Sequence, residues 1–316
     1  MKASSTITQQ LIAIGDLHGH YPALERLLDR LDKDLGIFDL REPDRLRRGV
    51  KMVFTGDYID RGDRALELIE RLQRLVRTNP GRVITLMGNH EAMALQDYDD
   101  AKELLTSTPA PGRDRVLEYY EMDTLHGGNG GLAFIREFGT DDYDALARYV
   151  TRMAREGDIG GWMRRLQPCF VATVAGRRIL LMHAGLPVAL RNRQTLERYL
   201  KRVAEHVEAS TFSLGGSRAK WGSPGFQRFF WDRWYRTLDS DEPEEIQDLC
   251  RDVGVNYIVT GHTPHDSITV YGDRIFDIDV GMTPAYGEGV PQALVIDSGG
   301  ISSIRADGGR AAFERF

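Results

Sequence analysis

Five short apolar runs in this chain each end at a side chain that can bind a metal ion. These side chains are, in chain order, Asp16 with His18, Asp57, Asn89, His183 and His262, which follow the runs 11–14, 52–55, 83–87, 179–182 and 257–260. Carboxylate, amide and imidazole donors together suit borderline divalent ions such as Mn, Fe or Zn. This number of donors exceeds what one ion needs, so the pattern predicts a two-metal hydrolytic centre.

The spacing inside these blocks refines the prediction. Asp16 and His18 are separated by one residue on a loop, so both can reach the same ion; the alternative is that Asp16 only caps a helix that begins near Pro22. Asp57 is expected to bridge the two ions, because its carboxylate has two oxygens. A single buried histidine is usually a packing residue, but three of the eight histidines follow apolar runs and lie beside glycine, which favours metal binding.

The same blocks resemble those of the phosphoprotein phosphatase family of metallophosphoesterases, in its bacterial branch. The family pattern Gly-Asp-x-His-Gly occurs at 15–19, and Gly-Asp-x-Val-Asp-Arg-Gly occurs at 56–62 with Ile59 in place of Val. Gly-Asn-His-Glu occurs in full at 88–91. The two later histidine blocks follow in the same order as His183-Ala184-Gly185 and Gly261-His262, and the resemblance spans roughly residues 10–285.

The resemblance implies roles for the individual residues. Asn89, His183 and His262 would complete the second metal site, opposite Asp16 and His18. His90 would be the general acid that protonates the leaving-group oxygen, with its imidazole held by Asp60; the alternative is a purely structural pair. Imidazole suits this role because its reference pKa of about 6.5 lets it donate near neutral pH. Arg61 would bind phosphate oxygens, which match its planar guanidinium.

A second phosphate-binding arginine is harder to place. Eukaryotic family members carry a Trp-Ser-Asp-Pro stretch and a later arginine, whereas this chain reads Phe-Phe-Trp-Asp-Arg-Trp-Tyr at 229–235. Bacterial branches tend to show Trp-x-Arg, which assigns the role to Arg233. Arg228 and Arg236 are alternatives, as is an aromatic-rich helix without a site. Tyr286 is a further candidate near the site, and no role is assigned to His20, His126, His206 or His265.

The mechanism implied by these roles needs no protein nucleophile. Two metal ions would share a bridging water and lower its pKa enough to supply hydroxide, which attacks phosphorus in line. Arg61, Arg233 and the metals would carry the phosphoryl charge. The chain has no Gly-x-Ser-x-Gly motif. Its two cysteines, Cys169 and Cys250, lie in no ligand-like cluster and make no disulfide scaffold.

The elements that position these residues alternate between strand and helix at the start of the chain. Apolar residues at helical spacing follow the first loop from Pro22 and the second loop from Leu66, until 79–81 ends the second helix. The second half instead predicts hairpins at 170–182 and 268–280 and strands at 293–296 and 301–304. We expect one metallophosphoesterase domain over 1–316: a mixed two-sheet β-sandwich flanked by helices, of the α+β or α/β class.

The interval between Glu91 and Arg178 is the main elaboration of this plan. It is mostly helical in pattern and contains Gly-Gly-Asn-Gly-Gly at 127–131, like the Asn-Gly-Gly segments of bacterial family members. It predicts a helical cap insertion at approximately 92–177 that takes part in substrate selection. A second helical stretch is predicted at 191–209, before a glycine-rich loop at 215–217.

Composition limits the remaining classes of function. The chain is 41% hydrophobic and 28% charged, as is usual for a globular protein, and no apolar stretch reaches membrane-spanning length. Its net charge of −6 argues against nucleic acid as a bulk partner. The N-terminus lacks a signal-peptide pattern, so we expect a cytoplasmic protein. The oligomeric state is not predicted.

Three functional hypotheses follow. The first is a manganese-dependent phosphatase acting on phosphoserine or phosphothreonine in proteins, with phosphotyrosine and small phosphoesters as further substrates and Fe or Zn as alternative metals. The second is a nucleotide hydrolase such as a diadenosine tetraphosphatase. The third is a non-catalytic binding module. Aromatic residues of the cap that stack on bases would favour the second, and the candidates are Tyr119, Tyr120 and Phe134.

Overall fold

Two mixed β-sheets form the centre of the protein. The computed structural model describes residues 8–107, 115–186, 197–198, 200–201, 229–237, 243–287 and 289–316. The described strands are β1 Gln10–Ile14, β2 Val50–Phe54, β3 Val83–Thr85, β4 Cys169–Val174, β5 Arg177–Met182, β6 Tyr257–Thr260, β7 Thr269–Tyr271, β8 Ile275–Asp277, β9 Gln292–Asp297, β10 Gly300–Arg305 and β11 Arg310–Glu314. Helices flank both sheets, which confirms the predicted fold class.

The first sheet has the strand order β11-β10-β9-β1-β2-β3. β1, β2 and β3 are parallel, and β9 returns antiparallel to β1. Every residue of β2 and all but the first of β1 are buried, as expected for strands covered on both faces. The carboxyl ends of three parallel strands therefore lie at one edge, where the first three polar blocks begin.

The second sheet has the order β4-β5-β6-β8-β7. β4 and β5 pair antiparallel from Cys169↔Met182 to Val174↔Arg177, and β7 pairs antiparallel with β8, so both predicted hairpins are confirmed. β5 and β6 run parallel, which brings the two later histidine blocks to the same end of this sheet. The predicted strands near the C-terminus are also present, and β11 was not predicted.

The described helices are α1 Tyr21–Leu35, α2 Ala65–Thr78, α3 Asn89–Gln96, α4 Tyr98–Ser107, α5 Val116–Asp123, α6 Leu132–Arg136, α7 Asp142–Met153, α8 Asp158–Met163 and α9 Pro243–Val253. α1 has proline in its first turn, buries its predicted leucines and ends at Gly36 in the left-handed conformation. α2 ends at Thr78, directly before the predicted breaker. α2 buries Leu68, Ile69, Leu72 and Leu75, whereas Leu66 and Val76 are only partly buried.

The segment between the two sheets is helical from α3 to α8. Within the interval 92–177 that the sequence assigned to a cap, the helices end at Met163, and residues from Cys169 onward form β4 of the second sheet. The interval therefore includes a sheet strand that does not belong to a helical cap. Glu137, just after α6, accepts hydrogen bonds from the backbone of Ala65 and Leu66, at 2.7 and 2.8 Å. This contact caps α2 and attaches the helical segment to the first sheet.

Most of the predicted helix at 191–209, the loop at 215–217, Arg228 and His206 lie outside the described residues. Among the described helices, none is long and apolar enough to span a bilayer.

Candidate metal centre

All six predicted metal ligands converge on one buried site. Asp57 lies at its middle: its Oδ2 is 3.4 Å from His183 Nε2 and 3.6 Å from His18 Nε2. His183 Nε2 is also 2.7 Å from Asn89 Oδ1, and His183 Nδ1 is 3.9 Å from Asp16 Oδ1. The ring centroids of His183 and His262 are 4.9 Å apart. Residues up to 246 positions apart in the chain meet here because both sheets direct their strand ends to this edge.

The donors form two groups that share Asp57. Within the described part of the chain, the ligand atoms of His18, Asp57 and His90 lie within 4.8 Å of one another, and so do those of Asp57, His183 and His262. A shared carboxylate between two clusters is the geometry that a bridging ligand requires. His90 therefore lies close to the first group, although its Nε2 is 3.9 Å from Asp57 Oδ2.

Backbone carbonyls select the tautomers of two histidines. His18 Nδ1 donates to Ile59 O at 2.9 Å, and His183 Nδ1 donates to Thr55 O at 3.1 Å. A carbonyl can only accept, so the proton resides on Nδ1 and the Nε2 lone pair faces the site. A hydrogen bond from the ring nitrogen that does not face the metal is how metal-ligating histidines are usually oriented.

The acceptor atoms at this site have too few donors without a cation. His262 Nε2 and Asp16 Oδ1 are buried and have no hydrogen-bond partner among the described residues. Leaving such atoms unpaired is costly. At His18 Nε2 the neighbouring cation is Arg61, whose guanidinium donates to it at 2.5 Å. Neutral imidazoles, carboxylates and an amide oxygen with open lone pairs fit divalent metal ions.

The electrostatics of these side chains also favour the binding of metal ions. Burial lowers the pKa of His183 to about 3, and burial together with His90 lowers the pKa of His18 well below its usual value. Burial also raises the pKa of Asp16 and Asp57 well above the usual range, with added repulsion from Asp279 on Asp16. The histidines are therefore in their neutral, ligating form, and the carboxylates need nearby positive charge to ionise.

The loops that carry these residues are strained. Of the eight described non-glycine residues with positive φ, five belong to the predicted site: His18, Asp57, Asp60, Arg61 and His262. Such conformations cluster at functional sites. Glycine is needed beside them: a Cβ on Gly88 would lie 2.1 Å from Asp57 Oδ1, and one on Gly261 would lie 2.2 Å from Asp16 Oδ1.

The predicted acid is paired as the sequence suggested. His90 Nδ1 donates to Asp60 Oδ2 at 2.6 Å, and both side chains are almost completely buried. The Nε2 atom of the same ring lies 3.9 Å from Asp57 Oδ2, and the ring centroids of His90 and His18 are 4.7 Å apart. His90 Nε2 is thus the ring atom on the side of the metal ligands. The Asp60 carboxylate would stabilise a proton on this ring.

The two arginines flank the ligands on different elements. Arg61 lies beside His18, and its Cζ is 4.7 Å above the ring of Tyr286, which is 40% exposed. Arg233 Nε donates to Thr263 Oγ1 at 2.9 Å, and its NH2 donates to the His262 carbonyl at 3.0 Å. Arg236 is exposed. The structure therefore brings Arg233 against the His262 loop and Tyr286 against Arg61.

Sequence reasoning missed two residues that support the site. Glu91 accepts hydrogen bonds from the backbone amides of Asp57, Tyr58 and Gly88 at 3.0, 2.7 and 2.9 Å, and so holds the loop that carries Asp57. Burial raises its pKa to about 7, against the effect of these amides. Its place in the block 88–91 was the available signal. His126, which was given no role, is fully buried and contacts Asp60 at 2.9 Å.

Comparisons with known proteins agree with this geometry. Residues 10–266 match the family described as calcineurin-like phosphoesterase. Shewanella-like protein phosphatase 2 of Arabidopsis thaliana is 27% identical over 92% of this chain and 76% of that protein. A symmetrical bis(5'-nucleosyl)-tetraphosphatase of Actinobacillus succinogenes is 26% identical over 48% of this chain and 54% of its own length. The structure of a cold-active protein-tyrosine phosphatase of a psychrophilic Shewanella species has a TM-score of 0.65 at 20% identity, covering 99% of this chain and 86% of that one.

The chain belongs to the calcineurin-like phosphoesterase family, and its relatives support the phosphoprotein phosphatase type that the sequence blocks indicated. It is a phosphoester hydrolase, so the hypothesis of a non-catalytic binding module is not supported.

The two cysteines should be inert, which separates this site from cysteine-based phosphatases. Cys169 and Cys250 are 1% and 3% exposed, and burial raises the pKa of each thiol to about 12. We expect iodoacetamide at pH 7.5 to leave the phosphatase activity unchanged within twofold, because the thiolate is the reactive form. Mass spectrometry should find two labels per chain only after denaturation. Stoichiometric labelling of the folded protein with loss of activity would contradict this assignment.

Proposed function

We propose that this protein is a two-metal phosphatase that hydrolyses phosphate monoesters, with phosphoserine and phosphothreonine in proteins as its main substrates and phosphotyrosine as a further one. The observation that carries the proposal is the position of Asp57, shared by two ligand groups and bordered by the His90–Asp60 pair. The protein phosphatases among the relatives support the substrate class. Manganese as the metal and a cytoplasmic location belong to the same proposal.

We assign the ligands as follows. Asp16, His18 and Asp57 would hold one ion, and Asp57, Asn89, His183 and His262 would hold the other. When bound, two divalent ions supply Lewis acidity that neutralises phosphoryl charge and makes water nucleophilic at neutral pH. The carbonyl contacts of His18 and His183 support this assignment, because they direct both Nε2 lone pairs toward the site, where Arg61 would yield the Nε2 of His18 to the ion.

The chain's own residues bind the phosphate and move the proton. Arg61 donates from the side of His18, and Arg233 donates from the side of His262, so the two guanidiniums flank the metal ligands. His90 donates the Nε2 proton to the leaving oxygen, and Asp60 stabilises the charged ring at Nδ1. Arg236 is less suited to this role than Arg233, because Arg236 is exposed whereas Arg233 hydrogen-bonds to the His262 carbonyl.

A cavity of about 490 Å³ lies beside Tyr286 and is lined by Pro264, His265 and Asp266. Tyr286 also covers Arg61, so it is the residue that this cavity shares with the surroundings of the proposed phosphate position. The cavity provides space for the remainder of the substrate, to which the phosphate is attached.

The second candidate function, hydrolysis of dinucleoside polyphosphates, is favoured by the tetraphosphatase relative. The cap offers little support for it. Tyr120 and Phe134 are fully buried and cannot stack on a base. Outside the cap, the cation Arg64 is already paired with Glu67 at 2.6 Å and is not open to a polyphosphate. Tyr119 is only half-buried and remains a candidate for stacking.

One substrate panel tests this ranking. With Mn²⁺ present, we expect phosphopeptides and small phosphate esters to show a higher kcat/KM than diadenosine tetraphosphate. Among the described residues we assign Arg61 and Arg233 to phosphate binding, and a chain of four phosphates needs more cations than these two. Reactions with chelator in place of metal are the control. A kcat/KM for diadenosine tetraphosphate tenfold above that of every phosphopeptide, about 1.4 kcal/mol of transition-state preference, would reverse the ranking.

A further inference from the structure

The carboxylate of Asp60 is shared by two imidazoles. Its Oδ2 accepts from His90 Nδ1 at 2.6 Å, and its Oδ1 accepts from His126 Nε2 at 2.9 Å. All three side chains are at most 1% exposed, so the described partners of this carboxylate are protein groups within the core. A buried carboxylate held at both oxygens has little freedom to turn.

His126 is itself held in place by the helical segment. Tyr120 Oη lies 2.9 Å from its Nδ1, which leaves Nε2 as the donor to Asp60 when the hydroxyl donates. The ring stacks on Tyr149 with an interplanar angle of 15°. Its backbone N–H donates to Asp97 at 2.6 Å. Burial opposes a charge on His126, yet the facing Asp60 raises its pKa above the usual value.

The glycine-rich turn at 127–131 makes this arrangement possible. A Cβ on Gly131 would lie 2.6 Å from the His126 ring, so only glycine allows the turn to pass so close. In the same turn, Gly130 O lies 3.5 Å from the backbone N of Arg61, and a Cβ on Gly130 would approach the Arg61 side chain at 3.2 Å. The turn thus contacts both Arg61 and His126, the second imidazole bonded to Asp60.

We propose that His126 is a positioning residue for the general acid: through Asp60 it fixes the orientation and the proton of the His90 ring, and so couples the helical segment to leaving-group protonation. This inference rests on the proposed function, since it assumes that His90 is the acid. His126 touches neither substrate nor a metal ligand and acts only through Asp60.

The test compares two substitutions of similar size. In His126→Gln the amide nitrogen reaches about as far as Nε2 and can still donate to Asp60, whereas in His126→Asn it falls one bond short. We expect His126→Asn to lower kcat for an alkyl phosphate on the order of tenfold more than for p-nitrophenyl phosphate, because only the alkoxide needs protonation. His126→Gln should show little of this difference and keep most of the wild-type kcat for the alkyl phosphate. Tyr149→Phe is the matched control, because it alters the same aromatic cluster without touching Asp60.

A double-mutant cycle separates positioning from a structural role. In a His90→Asn background, His126→Asn should cost no more than about twofold, because the acid that it positions is already absent. Equal losses on both substrates in both backgrounds, or no loss on either, would overturn the inference. If the wild type with Mn²⁺ hydrolyses neither ester, the proposed function fails first and the inference falls with it.

A measurement on metal-free protein gives an independent readout. With ¹⁵N-labelled histidine, the His90 Nδ1 proton bonded to Asp60 should appear at low field in the wild type, in His126→Gln and in Tyr149→Phe. It should shift or broaden in His126→Asn. An unchanged His90 resonance in His126→Asn would contradict the coupling through Asp60, even if activity fell.

Discussion

Replacing Asp57 by Asn is expected to remove most of the bound metal and nearly all activity while leaving the fold intact. The substitution keeps the shape of the side chain but removes the charge from the group that faces both ligand clusters. Metal ions stabilise such transition states by several kcal/mol, so kcat/KM should fall on the order of 10³-fold or more. Mass spectrometry measures the loss of bound metal, and circular dichroism checks that the secondary structure is unchanged.

Asp273→Asn is the matched control for this experiment. Asp273 is exposed, lies in the turn between β7 and β8, and also has a positive φ of 57°, against 53° for Asp57. The same change of charge in the same backbone conformation should leave both equivalents of bound metal and the activity unaltered. If Asp57→Asn still held two equivalents of metal, the bridging assignment would be wrong.

Replacing His90 by Asn should affect substrates according to their leaving groups. We expect kcat for an alkyl phosphate to fall by roughly 10²–10⁴-fold, the usual contribution of general acid catalysis. The loss on p-nitrophenyl phosphate should be much smaller, because nitrophenolate departs with little protonation. The measurement is kcat for each ester at saturating Mn²⁺.

His265→Asn serves as the control, because His265 also pairs with a buried carboxylate, Asp277 at 3.3 Å, but lies outside both ligand groups and the His90–Asp60 pair. Because His265 lines the proposed substrate cavity, its replacement can change KM but not the protonation of the leaving group. It should leave the ratio of the two kcat values unchanged. Equal losses on both esters in His90→Asn would favour a structural role for the His90–Asp60 pair.

The sequence by itself determined which residues would be brought together as candidate metal ligands. The candidates from Asp16 to His262 could be located because each lies shortly after a strand, and strands in one sheet bring their carboxyl ends to a common edge. The glycines beside them were equally predictable, since a Cβ at Gly88 or Gly261 would overlap a ligand oxygen. Local patterns were sufficient here, because period-two and period-3.6 signals together with turn residues define where strands end.

Tertiary structure alone decided what surrounds the centre. His126 meets Asp60 across 66 residues, and its only signal in the sequence was its position before the glycine-rich turn. Tyr120, an open candidate for base stacking, proved to be a buried partner of His126. The Trp-x-Arg pattern already favoured Arg233 over Arg236, but only the structure showed its contacts to the His262 loop. Such contacts depend on how the helical segment packs on the loops, and no periodicity in the chain encodes that packing.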